Sequence, residues 1–94
     1  MIDSSKYQHV TYAQIDDMKH TIGFNPRSVT GTKYRKYVPY RNYYCAPPGG
    51  LPQLDELVEI GFMEKSSDRY YHVTGEGRVF LEMVTGVQIL PESR

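Results

Sequence analysis

The stretch from Leu51 to Val84 constrains the fold of this chain most, because residues that start or stop helices stand at the junctions between its periodic segments. Apolar residues recur at helical spacing from Pro52 to Ile60, and Gly61 can adopt the left-handed conformation that ends a helix. The sequence therefore predicts a helix at Pro52–Ile60. Its predicted buried stripe consists of Leu54, Leu57 and Val58.

A hairpin and another helix follow. Residues 62–65 and 69–73 have the composition of two strands, and the polar tripeptide between them is typical of a turn. Thr74 can cap the next helix with its hydroxyl, and Gly86 can end that helix. The residues predicted to face the core are Met63, Tyr71 and Val73 in the hairpin, and Val79, Phe80, Met83 and Val84 in the helix.

The first half of the chain predicts two more helices. Thr11 and Gln14 have the spacing of a capping box, which indicates a helix at Tyr12–Ile22. Its apolar stripe is Ile15, Met18 and Ile22. A second, shorter helix is predicted at Pro39–Ala46, because proline suits the first helical position and Tyr40, Tyr43 and Tyr44 follow at helical spacing.

The segment between these two helices, Phe24 to Val38, has no clear period. Its turn signals predict a loop, and Lys33–Val38 (KYRKYV) is a candidate short edge strand.

Ninety-four residues suit one small domain. We expect a flexible N-terminal arm at residues 1–10, a single domain at 11–90 and a tail at 91–94. The apolar segment Val87–Leu90 can pack back on the core or pair with a second subunit. The predicted fold class is α+β, with about four helices and a two-stranded β-hairpin.

The segment Leu54–Leu81 resembles the ending of the winged helix-turn-helix superfamily. The matching residues are LDELVEIGFMEK and RYYHVTGEGRVFL, with a helix that ends at Gly, a hairpin (the wing) and Thr-x-x-Gly opening another helix. The resemblance covers about a third of the chain and implies a small winged-helix-like domain. The segments MKHTIG and YRNYYC are similar to a pattern in small uncharacterised phage and prophage proteins, which implies no established activity.

One feature departs from the DNA-binding members of that superfamily. In those proteins the helix before the wing enters the major groove. Here that helix carries Asp55, Glu56 and Glu59 and no basic residue. Because carboxylates repel a polyanion, we do not expect this helix to read a groove.

The net charge of zero hides a strong segregation of charge along the chain. Met18 to Leu54 contains six bases and no acid, a net charge of +6. The first seventeen residues carry three acids and one base, and the residues from Asp55 onward carry eight acids and four bases. A basic middle indicates a phosphate-binding surface, although the two signs can also face each other within one fold.

The basic, tyrosine-rich segment 33–44 (KYRKYVPYRNYY) is the predicted nucleic-acid site. Lys and Arg can follow a phosphate backbone while Tyr rings stack on bases. The predicted contacts are Lys33, Tyr34, Arg35, Lys36, Tyr37 and Arg41, with Tyr40 as a further stacking candidate. The alternative is that the tyrosines supply core volume in a chain without Trp.

A second hypothesis is a protein–protein adaptor or a homodimer. The acidic side chains Asp55, Glu56 and Glu59 would bind a basic partner, or the basic middle of another copy, and the apolar C-terminal segment would add contact area. The alternative is a solvated helix face.

No pattern indicates catalysis, and we expect neither a cofactor, a metal nor a small-molecule substrate. Cys45 has no nucleophile signature and is predicted to be structural, and His9, His20 and His72 lack metal-ligand spacing. The single cysteine cannot form an intrachain disulfide, and the chain has neither a secretory signal nor a membrane-spanning apolar run. We therefore expect a cytoplasmic protein that binds no membrane.

Overall fold

A computed structural model of the protein describes residues 10–31 and 35–91, apart from the side chain of Ser28. Most of the predicted arm (1–10) and of the predicted tail (91–94) therefore lies outside the described residues. The described elements, in chain order, are α1 (Tyr12–Thr21), a 3-10 turn (Pro26–Ser28), β1 (Lys36–Tyr37), β2 (Tyr44–Cys45), α2 (Pro52–Glu59), β3 (Met63–Lys65), β4 (Tyr70–Val73), α3 (Gly75–Thr85) and β5 (Gln88–Ile89).

The strands form two small sheets. One is antiparallel with the order β2-β4-β3, and the other is a parallel pair of β1 and β5. The predicted α+β class is confirmed, and so is the hairpin. The prediction of about four helices was wrong, because the described residues contain three α-helices, and the hairpin gains a third strand.

Local signals position the helices as the sequence predicted. The Thr11 hydroxyl accepts a hydrogen bond from the Gln14 amide (3.1 Å), and the Gln14 side chain accepts one from the Thr11 amide (2.9 Å). This reciprocal capping box satisfies two N–H groups that have no partner within the helix. The apolar stripes of α1 and α2 face one core, which is closed by Phe62, Met63, Tyr71 and Val73 from the hairpin.

The predicted helix at Pro39–Ala46 was wrong. The segment is extended and ends in β2, because its polar groups bond to other elements instead of to one another. The Tyr43 amide donates to the Thr21 carbonyl (3.0 Å), and the Asn42 side chain bonds to both backbone groups of Val73. The tyrosines at helical spacing therefore do not form one buried stripe.

The predicted inner face of α3 was wrong in part. Phe80 is buried as expected, and the other buried residues of α3 are Gly77 and Leu81. Three residues predicted to face the core are exposed instead: Val79 and Val84 by about half, and Met83 by 61%. The helix is therefore rotated so that Gly77 faces the core. This orientation is possible because Gly77 has no side chain, which lets the helix approach the backbone of Phe62 closely. Hydrophobic periodicity considers large apolar side chains, so it does not predict that a glycine faces the core.

The C-terminal segment packs back on the core of its own chain. β5 pairs with β1 in the register Lys36–Gln88 and Tyr37–Ile89, and the side chains of Val87 and Ile89 are buried. One of the two predicted uses of this segment is thus confirmed. In residues 10–31 and 35–91, no helix has the length and apolar character needed to cross a membrane.

Candidate nucleic-acid interface

Basic and aromatic side chains meet at the C-terminal end of α1. We call this group the α1-end cluster; its members are Lys19, His20, Tyr40, Arg41 and Tyr43. Nζ of Lys19 lies 5.9 Å from the ring centroid of Phe24, and the imidazole of His20 packs edge-on against the ring of Tyr44. The guanidinium of Arg41 links its own segment to the end of α1, since its Nη2 donates to the His20 carbonyl at 2.7 Å. Its Cζ lies 5.4 Å from the ring centroid of Tyr40 and 5.8 Å from that of Tyr43.

The two tyrosine rings are exposed but held in place. Tyr40 is 68% exposed and Tyr43 is 49% exposed. Tyr40 lies over Gly23, where a Cβ atom would come within 2.6 Å of its ring, and Gly23 has a positive φ of 66°. Tyr43 is fixed through its backbone bond to Thr21. The fold therefore presents both rings to solvent without leaving their backbone unconstrained.

Arg41 also has a structural role. The last carbonyls of a helix lack intrahelical partners and carry partial negative charge, so a guanidinium there is favourable. Lys19 and His20, in the last turn of α1, add to this effect. Of the five N–H donors of this guanidinium, the one on Nε is buried and has no hydrogen-bond partner in the described residues, so a ligand can bond only to the remaining donors on Nη1 and Nη2.

The predicted site residues divide into three groups. Lys33 and Tyr34 lie outside the described residues. Arg35 and Lys36 are exposed beside and in β1. Tyr37 is only 2% exposed, and its hydroxyl donates towards the carbonyls of Ile22 (3.0 Å) and Gly23 (2.6 Å). Burial raises the pKa of this phenol, and the ring is not accessible for stacking on a base.

As far as the structure describes the chain, the cations of this region do not form ion pairs with carboxylates. Within residues 10–31 and 35–91, no carboxylate oxygen lies within 4 Å of Lys19, Arg35, Lys36 or Arg41. Asp17 lies one helical turn before the cluster. Burial raises the pKa of its carboxyl, while a hydrogen bond with Gln53 and the nearby imidazole of His20 lower this pKa. Among the described residues, direct contacts with carboxylates thus do not neutralise the positive charge of these four side chains.

The acidic face of α2 is largely engaged within the chain. Asp55 Oδ1 accepts a hydrogen bond from the Tyr71 hydroxyl (2.7 Å) and lies 3.7 Å from Nζ of Lys65. Glu56 Oε2 accepts a hydrogen bond from the Gln14 side chain (3.0 Å). Glu59 is exposed beside a small depression that Glu56 and Gln14 also line. The structure therefore brings two of the predicted partner-binding residues, Glu56 and Glu59, to one depression, whereas Asp55 faces the hairpin; Asp55 and Glu56 are used within the chain.

The cations of the hairpin are engaged as well. Lys65 pairs with Asp55 and lies over the Tyr71 ring, and Nε of Arg69 donates to the Ala46 carbonyl (3.0 Å). Asp68 accepts a hydrogen bond from the Gly49 amide (2.8 Å). The hairpin thus uses its charged groups to attach the turn at 47–50 and has little positive charge left for phosphate.

Cys45 is exposed and lies in β2, not in a helix as the prediction for Pro39–Ala46 implied. It faces Tyr70 across the strand pair, and contact with this thiol raises the pKa of the Tyr70 phenol. The ring of His72 lies 2.6 Å from the Asn42 carbonyl and 2.8 Å from the Ser66 hydroxyl. The described part of the chain contains no group of three or more His, Cys, Asp or Glu arranged to hold a metal ion.

Sequence reasoning missed three members of the α1-end cluster as site residues: Lys19, His20 and Tyr43. The acid-free run from Met18 to Leu54 contains all of them and was the available signal. No family model, no curated protein and no solved structure matches the chain.

Proposed function

We propose that this protein is a non-enzymatic nucleic-acid-binding module of winged-helix type. In this proposal the nucleic acid contacts the α1-end cluster together with Arg35 and Lys36, and α2 does not enter a groove. One observation carries the proposal. Within the described residues no carboxylate lies within ion-pair distance of the cations of the acid-free middle segment, and one of these cations, Arg41, lies beside the exposed rings of Tyr40 and Tyr43. Exposed cations beside aromatic rings are the common chemistry of nucleic-acid binding.

The order of elements supports the winged-helix type. A helix, a hairpin and a capped helix follow one another, and the hairpin pairs with an earlier strand in the order β2-β4-β3. One helix, α2, stands between β2 and the hairpin, where a helix-turn-helix has two. The Pro-Pro-Gly-Gly turn at 47–50 occupies the remaining length. This difference, together with the acidic face of α2, is the reason for placing the interface elsewhere.

Charge reversal of Lys36 tests the proposal. Lys36 is exposed, and its backbone rather than its side chain bonds to Thr30, so Lys36→Glu leaves the fold intact. We expect affinity for labelled oligonucleotides to fall on the order of tenfold at low salt, because a phosphate contact is lost and an anion is introduced. The slope of log affinity against log salt concentration should decrease in magnitude by about 1, the value expected for the loss of one phosphate contact. Fluorescence anisotropy at low and moderate salt measures both effects.

Arg78→Glu is the matched control. It makes the same change in net charge on α3, outside the middle segment, and should leave affinity within about twofold of wild type. Equal losses for the two variants would contradict a localised interface. Absence of binding to any single- or double-stranded DNA or RNA at low salt would overturn the proposed function.

The protein–protein adaptor is the rival function. Its support is weaker, because Asp55 and Glu56 bond within the chain and the apolar side chains of Val87 and Ile89 are buried. Light scattering at two concentrations separates the two functions. A dimer that forms without any nucleic-acid binding would favour the rival.

A further inference from the structure

The geometry of the α1-end cluster bears on the form of nucleic acid that it recognises. Tyr40 and Tyr43 are both exposed, and the guanidinium carbon of Arg41 lies within 6 Å of both ring centroids, at 5.4 Å and 5.8 Å. Because this guanidinium is also bonded to the end of α1, the charge and both rings are held in one arrangement before any ligand binds. Such preorganisation reduces the entropy lost on binding.

A double helix does not match this arrangement. In a duplex the bases are stacked on one another, and a protein reaches only their edges through a helix or a β-ribbon placed in a groove. The cluster instead projects its rings from the segment 38–43, which is neither helix nor ribbon. The elements with the right shape for a groove, α2 and the hairpin, carry an acidic face and engaged cations.

A single strand does match it. Unpaired bases expose their faces and stack on aromatic side chains with little dependence on sequence. The exposed rings of Tyr40 and Tyr43 can each stack on a base, and the guanidinium that lies near both is suited to the phosphate that connects two nucleotides. Arg35 and Lys36 then lie along the same stretch of chain, for the neighbouring phosphates.

We infer that the α1-end cluster binds single-stranded nucleic acid, with two bases stacked on Tyr40 and Tyr43 and a phosphate on Arg41. The inference rests on the proposed function and narrows its ligand from nucleic acid in general to the single-stranded form. It also assigns a stacking role to Tyr43, which the sequence placed in a helix stripe.

The test compares labelled ten-nucleotide strands of oligo(dU) and oligo(U), which differ only in the sugar, with duplexes of the same length at one low salt concentration. Anisotropy should show at least tenfold tighter binding of a single strand than of its duplex; the tighter of the two single strands identifies the sugar. The variants Tyr40→Leu and Tyr43→Leu should each weaken single-strand binding on the order of tenfold and thereby reduce the preference for a single strand over its duplex.

Tyr12→Leu is the matched control, because Tyr12 is 88% exposed at the opposite end of α1. Removing this ring should not change affinity. The aromatic replacements Tyr40→Phe and Tyr43→Phe keep the stacking face and should bind within about threefold of wild type. Thermal denaturation of each variant confirms that it is folded.

The outcomes separate the inference from the proposed function. Duplex binding as tight as single-strand binding, or single-strand binding that both leucine variants retain, would overturn the inference and leave nucleic-acid binding standing. No binding to either form at low salt would overturn both.

Discussion

Gly77→Ala is expected to destabilise the protein by about 3 kcal/mol, close to the upper end for overpacking a core. A Cβ atom on Gly77 would overlap the carbonyl oxygen of Phe62 and lie 2.8 Å from Val73 Cγ1. The carbonyl cannot move aside freely, because it accepts a hydrogen bond from the Thr74 amide (3.1 Å). For a domain of this size the midpoint of thermal unfolding should fall by on the order of 10–20 °C.

Gly75→Ala is the control for this substitution. Gly75 lies in the first turn of the same helix, and a Cβ atom there would lie 3.8 Å from its nearest neighbour, Nη2 of Arg78. Alanine is the better helix former, so stability should stay within about 1 kcal/mol and rise rather than fall. Calorimetry or circular dichroism measures both variants. Equal losses would show that α3 does not depend on close approach at Gly77.

Asn42→Ala is expected to cost about 2–4 kcal/mol, because it leaves two buried backbone groups without partners. The Asn42 side chain donates to the Val73 carbonyl (3.0 Å) and accepts from the Val73 amide (2.7 Å), so it continues β2 by one more pair of bonds. Val73 is buried, and water cannot readily replace these bonds. Chemical denaturation measures the loss as a change in the midpoint at constant slope.

For Asn42→Asp, we expect the loss of stability to depend on pH. An ionised carboxylate can accept from the Val73 amide but repels the Val73 carbonyl, whereas the protonated acid can donate to it. The folded state therefore holds the introduced carboxyl at a raised pKa. The loss of unfolding free energy caused by ionisation is absent below the pKa of the carboxyl in the unfolded chain, about 4. It grows as the pH rises through the pKa of the carboxyl in the folded state. The alanine variant should show no such dependence, and parallel pH profiles for the two variants would contradict this account.

The parts of the fold that the sequence predicted are those where local signals agree with tertiary packing. Thr11 with Gln14, and Thr74 before α3, place helix starts through hydrogen bonds to amides at most three residues away. The residues of α1 and α2 then bury one stripe each, as their periodicity indicates. Such signals need no knowledge of distant parts of the chain.

The parts that it did not predict depend on distant partners. Residues 39–46 have a helix-like spacing of tyrosines, but their conformation is set by Thr21 and by Val73, which no local pattern reveals. The orientation of α3 depends on the close contact of Gly77 with Phe62. Propensity is a weak guide where tertiary hydrogen bonds compete with it.

The candidate site shows the same division. Charge segregation alone directs attention to Arg35, Lys36 and Arg41. It cannot tell which tyrosines face outward. Tyr37 is buried, and two carbonyls at the end of α1 accept a hydrogen bond from its hydroxyl, whereas Tyr40 packs over Gly23 with its ring exposed. Only the folded chain separates these two roles.

The parallel pair of β1 and β5 has a consequence for the order in which the molecule assembles. It joins residues that are roughly fifty positions apart, including Lys36 with Gln88. Closing so long a loop loses chain entropy that local helices and the hairpin do not lose, so we expect this ladder to form late in folding. The basic segment then reaches its final position only after most of the core exists. A partly folded chain would carry the same charges but would not present them as a surface.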